Sequence, residues 1–435
     1  MAAMNVSHCI DKRATDNAGL MAPLKSTVCR LLGGLLWLGL IGCGEQLSSD
    51  AGPDFASESG NLVASTFNQQ ALISNLADNV IAPVFQQSWQ QTQQLNAEVT
   101  QYCDLLEDAI EGNVAPSEPV LTRLVQAQQQ AQNQWRTTMD WWQQAELMQV
   151  GPLASGGALR NRIYSWPVVN RCAVDQEVVL FEAGEINGSA YDISQRTDPR
   201  KGLDALEYLL FTADLNHQCS AELAPAGWQE RSDLNKQYAR CALAQAIGQE
   251  LALNLQQLTS AWDEYTTELK QAGLPDNPFS DAQQAINALS DGLFYLDGYT
   301  KDAKLMAPYL AYADQCDLAC INALESGLSG HSLANVGQNY QAVRALFEGL
   351  GGVGFDDYLV AVGHPELAQQ MLANIDQAIA QQQQLGNSLG VVLNSDADQI
   401  ATLQQQTKAI TDQLKVDFIT SLALELPATS AGDND

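Results

Sequence analysis

From Leu72 onward the apolar residues return every three or four positions and never settle into one-by-one alternation. Leu72, Leu76, Val80 and Val84 set the period, which lines one face of an α-helix. Alanine and glutamine fill the intervening positions, and both favour helix. Runs such as QQSWQQTQQ and IAQQQQ lie inside these periodic segments, so they read as solvated helix faces. The pattern predicts an all-α chain built as helix bundles.

The spacing predicts a first helix over Phe67 to Glu111, bent at Pro83, and a second over Val120 to Gln149 that carries Trp135, Trp141 and Trp142. GPLASGG ends the second, and an irregular stretch with Ser165-Trp166-Pro167 follows. Asp175 to Gly184 reads as helix. Thr197-Asp198-Pro199 predicts the start of the next, with a cap and a proline in its first turn. A long helix spans Arg231 to Ala272, and the last runs from Gln399 to Leu424. A polar break near residue 220 divides the chain into an N-terminal bundle, 61–220, and a C-terminal bundle, 221–435.

Residues 1–42 read as an export signal: Lys25 and Arg30 precede an apolar run from Leu31 to Gly42, too short for a stable membrane anchor. Met21 is a plausible start. Leu40-Ile41-Gly42-Cys43 resembles a bacterial lipobox, which implies lipid attachment at Cys43; simple secretion is the alternative. Gly44, where an inner-membrane retention signal would place Asp, favours an outer-membrane lipoprotein facing the periplasm. Residues 43–60 form a polar tether. Six cysteines remain: Cys103, Cys172, Cys219, Cys241, Cys316 and Cys320. An even number in an exported chain predicts disulfides; fifteen connectivities are open to six cysteines, local pairs such as Cys219–Cys241 and Cys316–Cys320 among them, and a zinc site is the competing reading. The net charge of −30 excludes nucleic acid as a partner and is compatible with cations.

One apolar helix stands out. In GLDALEYLLF, Leu203, Leu206 and Leu210 form one stripe, while Asp204, Glu207, Tyr208 and Phe211 form the adjoining one. Carboxylates one turn apart beside aromatic rings are not the usual makeup of a solvent face, though solvated surface charges are one reading; burying them requires a cation, a donor or a proton. Arg200 lies four residues before Asp204, at ion-pair spacing. The pair is therefore either a structural salt-bridge cluster or a site for something positive.

Gly202 to Leu210 resembles the signature helix of the imelysin-like family, whose pattern is GxHxxE. ISNLADNVIAPVFQQSW, AQNQWRTTMDWWQQAELMQVGPLA, SWPVVN, ALESGLSGHSLANVGQNYQAVRALFEG and DQLKVDFITSLALELPATSAGDND resemble further family segments, in order, from Leu62 to Asp435. The family's His is Asp204 here and its Glu is Glu207. The resemblance implies two helical bundles side by side with the signature helix at their interface. It also implies an exported or lipid-anchored protein linked to iron uptake, with iron-uptake components as partners, and in some members a metallopeptidase. It further implies a metal ion, iron before calcium or zinc, on Asp204 and Glu207. His331 would supply the imidazole that position 204 lacks, and Arg200, Glu325, Ser329 and Arg344 would support the site. Carboxylate in place of imidazole makes such a site harder and more anionic.

The sequence contains no HExxH and no HxxE, so the familiar zinc-peptidase arrangement is not encoded locally. A decayed site in a non-catalytic interaction lipoprotein is the remaining reading.

Overall fold

Pro83 interrupts the first long helix in a defined way. A computed structural model of the chain describes residues 67–112, 117–154, 157–168, 170–313 and 324–427. Within it, α1 (Gln69–Asn75) passes through a π-helical turn, Leu76–Ile81, into α2 (Ala82–Glu111). Pro83 has no N–H to give, and the wider turn just before it absorbs the missing bond. The second helix, α3, covers Glu118–Leu147. Then come the short α4 (Ala158–Ile163) and α5 (Arg171–Ala183), capped by the Asn170 side chain and closed by Gly184 at φ 70°. A two-residue hairpin, β1 (Glu185–Ile186) and β2 (Ser189–Ala190), turns on Asn187-Gly188, both at positive φ. That dipeptide favours tight hairpin turns.

Thr197-Asp198-Pro199 starts a single 3-10 turn, Asp198–Arg200, and not the signature helix itself. Lys201 is extended, and α6 begins afresh as Gly202–Phe211. The long α7 is Asp233–Lys270, capped by Ser232. Beyond it lie α8 (Ala282–Ser290), a π-helical segment Leu296–Met306 that continues into α9 (Ala307–Ala313), and α10 (Ser332–Glu348). The chain ends in α11 (Phe355–Ala361), α12 (Pro365–Leu385), α13 (Leu389–Asp396), α14 (Asp398–Gln413) and α15 (Ile419–Leu422). Helices thus account for nearly all regular structure among the described residues, as the periodicity predicts.

Two helical groups emerge within residues 62–435. In one, α2 packs on α3 and α7, with α6 laid against α3 and α7; in the other, α10, α12, α14 and the 296–306 segment pack together. Contact between α3 and α10 joins them. Trp135, Trp142 and Trp262 are fully buried in this core.

The disulfides overturn the local Cys219–Cys241 pairing. Cys103 joins Cys241, and Cys172 joins Cys219. Cys241 lies on α7, which packs beside the Cys103-bearing α2, so its partner is near in space and remote in sequence. Cys43, Cys316 and Cys320 lie outside the described residues, as do the signal and tether segments. Among the described residues, no helix is long and apolar enough to cross a membrane.

Candidate functional site: a carboxylate-walled cavity

Helix α6 can hold polar groups in the interior because neighbouring elements satisfy its ends and faces. Trp135 Nε1 donates to the Leu203 carbonyl at 2.9 Å, and Gln132 Nε2 donates to the Leu210 carbonyl at 2.8 Å. Gly202 adopts φ 84°, and a Cβ there would stand 2.8 Å from the Ile163 carbonyl oxygen. The glycine of the motif is therefore required by both backbone conformation and space. Leu203, Leu206 and Leu210 are buried, and they anchor the helix while the adjoining stripe turns to a cavity.

That cavity holds about 370 Å³ and is walled by Asp204, Glu207, Tyr164, Trp166, Arg171 and Tyr208 among others. Asp204 is 5% exposed and Glu207 8%. Ser165 Oγ donates to Asp204 Oδ2 at 2.6 Å, and the Ala205 amide donates to Oδ1 at 3.2 Å. The Ser329 amide donates to Glu207 Oε1 at 2.8 Å. Burial pushes the Asp204 carboxyl up to about 6 despite the Ser165 bond. Burial likewise pushes Glu207 up to about 7, while the Ser329 bonds and the charge of Arg171 pull it down. Both therefore hold protons more tightly than a solvated carboxylate.

The other residues singled out by sequence are placed differently. Arg200 turns from Asp204 to Glu177, at 2.9 Å, because Glu177 is buried on the neighbouring α5 and needs countercharge. Arg196 joins it there. His331 Nε2 meets Asp140 Oδ1 at 2.8 Å, and its ring lies edge-on to Trp135. The imidazole thus serves α3, and His331 is not part of the cavity wall. Arg344 pairs with Asp376 at 2.7 Å and with Glu348, and its own side chain is 34% exposed. Ser329 gives its backbone amide to Glu207, and its hydroxyl also donates to the Ser326 carbonyl.

Glu325 stands behind the wall in a buried polar cluster. Its Oε1 accepts from the Tyr164 hydroxyl at 3.0 Å and from Gln143, and lies 3.1 Å from Lys304 Nζ. Lys304 also reaches Glu146, which pairs with Arg160. These residues come from α3, α4, the 296–306 segment and the turn before α10, so their meeting is a tertiary event. Sequence reading gave no role to Tyr164, Ser165, Trp166 or Arg171. The recognisable SWPVVN segment was their one signal.

Two carboxyls in a roomy cavity can bind a cation or exchange protons. Among the described residues, no group of three or more His, Cys, Asp or Glu side chains is arranged to hold an ion, whereas structural and catalytic zinc need three or four such ligands.

The chain matches the family model for Imelysin, peptidase M75, over residues 81–416. Among solved structures it is similar to an imelysin-like protein from Psychrobacter arcticum, at 14% identity over 82% of this chain and 96% of that one, with TM-score 0.57. It is also similar to a putative iron-regulated protein A precursor from Parabacteroides distasonis, at 17% identity over 79% and 94%, with TM-score 0.52. Curated proteins gave no match. A family match across most of its length means that the chain belongs to the imelysin family.

Proposed function

We propose that this protein is an exported, lipid-anchored binding protein that captures a positively charged ligand over Asp204 and Glu207, in the service of iron uptake. The observation that carries this reading is the pair itself: two carboxyls on a cavity wall, more than nine-tenths buried, with no ion-pair partner among the described residues. Burying negative charge in this way favours any state in which a cation arrives. The iron context is supported by the imelysin membership and by the name of the Parabacteroides relative. Export is supported by the lipobox-like LIGC and by two disulfides, which persist in oxidising compartments. A hard, oxygen-seeking ion would take both carboxylates and complete its coordination with water or with donors of an accompanying chelator.

The test is calorimetric titration and thermal unfolding of the mature protein with calcium, zinc and ferric citrate, alongside small organic cations. The same titrations are run on the Asp204→Asn/Glu207→Gln double variant. Binding by the wild type that the double variant loses is the expected result. A wild-type protein whose melting temperature responds to none of these cations would end the reading, since a ligand of the native state must stabilise it.

A further inference from the structure

Six other buried carboxylates have protein cations of their own. Glu146 has Arg160 and Lys304, and Glu325 has Lys304; Asp175 has Arg240, Glu177 has Arg196 and Arg200, Glu250 has Lys201, and Asp297 has Lys301 and Lys415. Asp204 and Glu207 instead receive neutral donors, from Ser165, Ala205 and Ser329. The Tyr164 hydroxyl donates its proton away to Glu325, which leaves that oxygen only lone pairs to offer. The Tyr208 hydroxyl donates to Asp175 at 2.8 Å and accepts from Arg240. The carboxyl pair thus offers acceptors that hold no salt bridge of their own among the described residues, and it suits an occupant that brings positive charge and N–H groups.

Size narrows the choice. A volume of about 370 Å³ far exceeds one ion, given that a water occupies roughly 30 Å³, and it falls in the range of small-molecule sites. Among the described residues, no third His, Cys, Asp or Glu joins the pair as a bare transition metal would need. Tyr164, Trp166 and Pro167 supply a flat apolar side against which a carbon skeleton can rest.

Resting on the cation-binding reading above, we infer that the ligand is a small organic cation, an ammonium or guanidinium group on a slim apolar body. Its charged head meets Asp204 and Glu207 in charge-assisted hydrogen bonds, and its body lies along Trp166 and Pro167. Asn170 and Arg171 also line the cavity, and the Arg171 charge acts on Glu207.

The experiment titrates the mature, disulfide-intact protein with benzylamine and benzamidine, with benzyl alcohol as the uncharged counterpart, and with calcium and ferric citrate in parallel. The expected result is saturable binding of the two organic cations, at least about tenfold tighter than benzyl alcohol, and loss of that preference in Asp204→Asn/Glu207→Gln. Because both substitutions remove buried charge, the double variant is expected to fold. Trp166→Leu supplies an independent check: it should weaken both organic cations and leave calcium unaffected. Equal binding of benzyl alcohol and benzylamine overturns the inference. So does binding of a metal at the pair with no response to either organic cation, a result that leaves the cation-site reading standing. No binding of any cation overturns both.

Discussion

The Ser329 amide donates to Glu207 Oε1 at 2.8 Å across 122 positions of chain, tying the turn before α10 to the signature helix. This bond and the Ser165–Asp204 bond oppose burial without cancelling it, so both carboxyls hold protons more tightly than in the unfolded chain. For a carboxyl raised in this way, the native state binds more protons than the unfolded state between the two values. The stabilisation by protonation is fully present below the unfolded value of about 4 and lost as pH rises through about 6 for Asp204 and 7 for Glu207. Glu207→Gln should therefore raise stability at pH 8 by on the order of 1–3 kcal/mol and leave it nearly unchanged at pH 4. Urea unfolding at the two pH values checks this; a variant less stable than wild type at pH 8 would contradict it.

Lys304 is shared by Glu146 and Glu325, all three buried. Lys304→Met leaves Glu146 with Arg160 alone, removes the cation paired with Glu325, and should cost about 3–5 kcal/mol. The matched change Glu325→Gln, which keeps an acceptor for Tyr164, should cost much less. Denaturant midpoints of the two variants separate them.

Gly202→Ala must place a side chain at positive φ against the Ile163 carbonyl. A loss of more than about 1–3 kcal/mol is expected, together with weakened ligand binding, since Asp204 lies two residues on. Thermal unfolding within a degree of wild type would show that α6 can begin elsewhere.

The Cys172–Cys219 bridge borders the cavity, whereas Cys103–Cys241 ties α2 to α7 away from it. Either Cys→Ser pair should cost about 2–5 kcal/mol. Only Cys172→Ser/Cys219→Ser should also reduce affinity for a cavity ligand, as read by calorimetry below the melting transition of each variant.

His331→Gln removes the partner of Asp140 and the edge contact with Trp135. It should destabilise by about 1–3 kcal/mol and leave cation affinity within about twofold of wild type. A large loss of affinity would return His331 to the site.

Helix content, helix boundaries to within a few residues, and the inward-facing character of Asp204 and Glu207 were all legible in the sequence. Each follows from local rules: apolar period, capping residues, and the improbability of Leu, Tyr and Phe surrounding two solvated charges. The partners of charged groups were not legible. Arg200 sits at helical spacing from Asp204, yet the extended Lys201 breaks that helix and Glu177 claims the guanidinium. His331, Glu325 and the cysteines likewise found partners dozens to more than a hundred residues away. Sequence spacing governs which groups share a helix face; which cation reaches a buried carboxylate depends on how separate helices dock, because a buried charge takes the best countercharge in space whatever its distance along the chain.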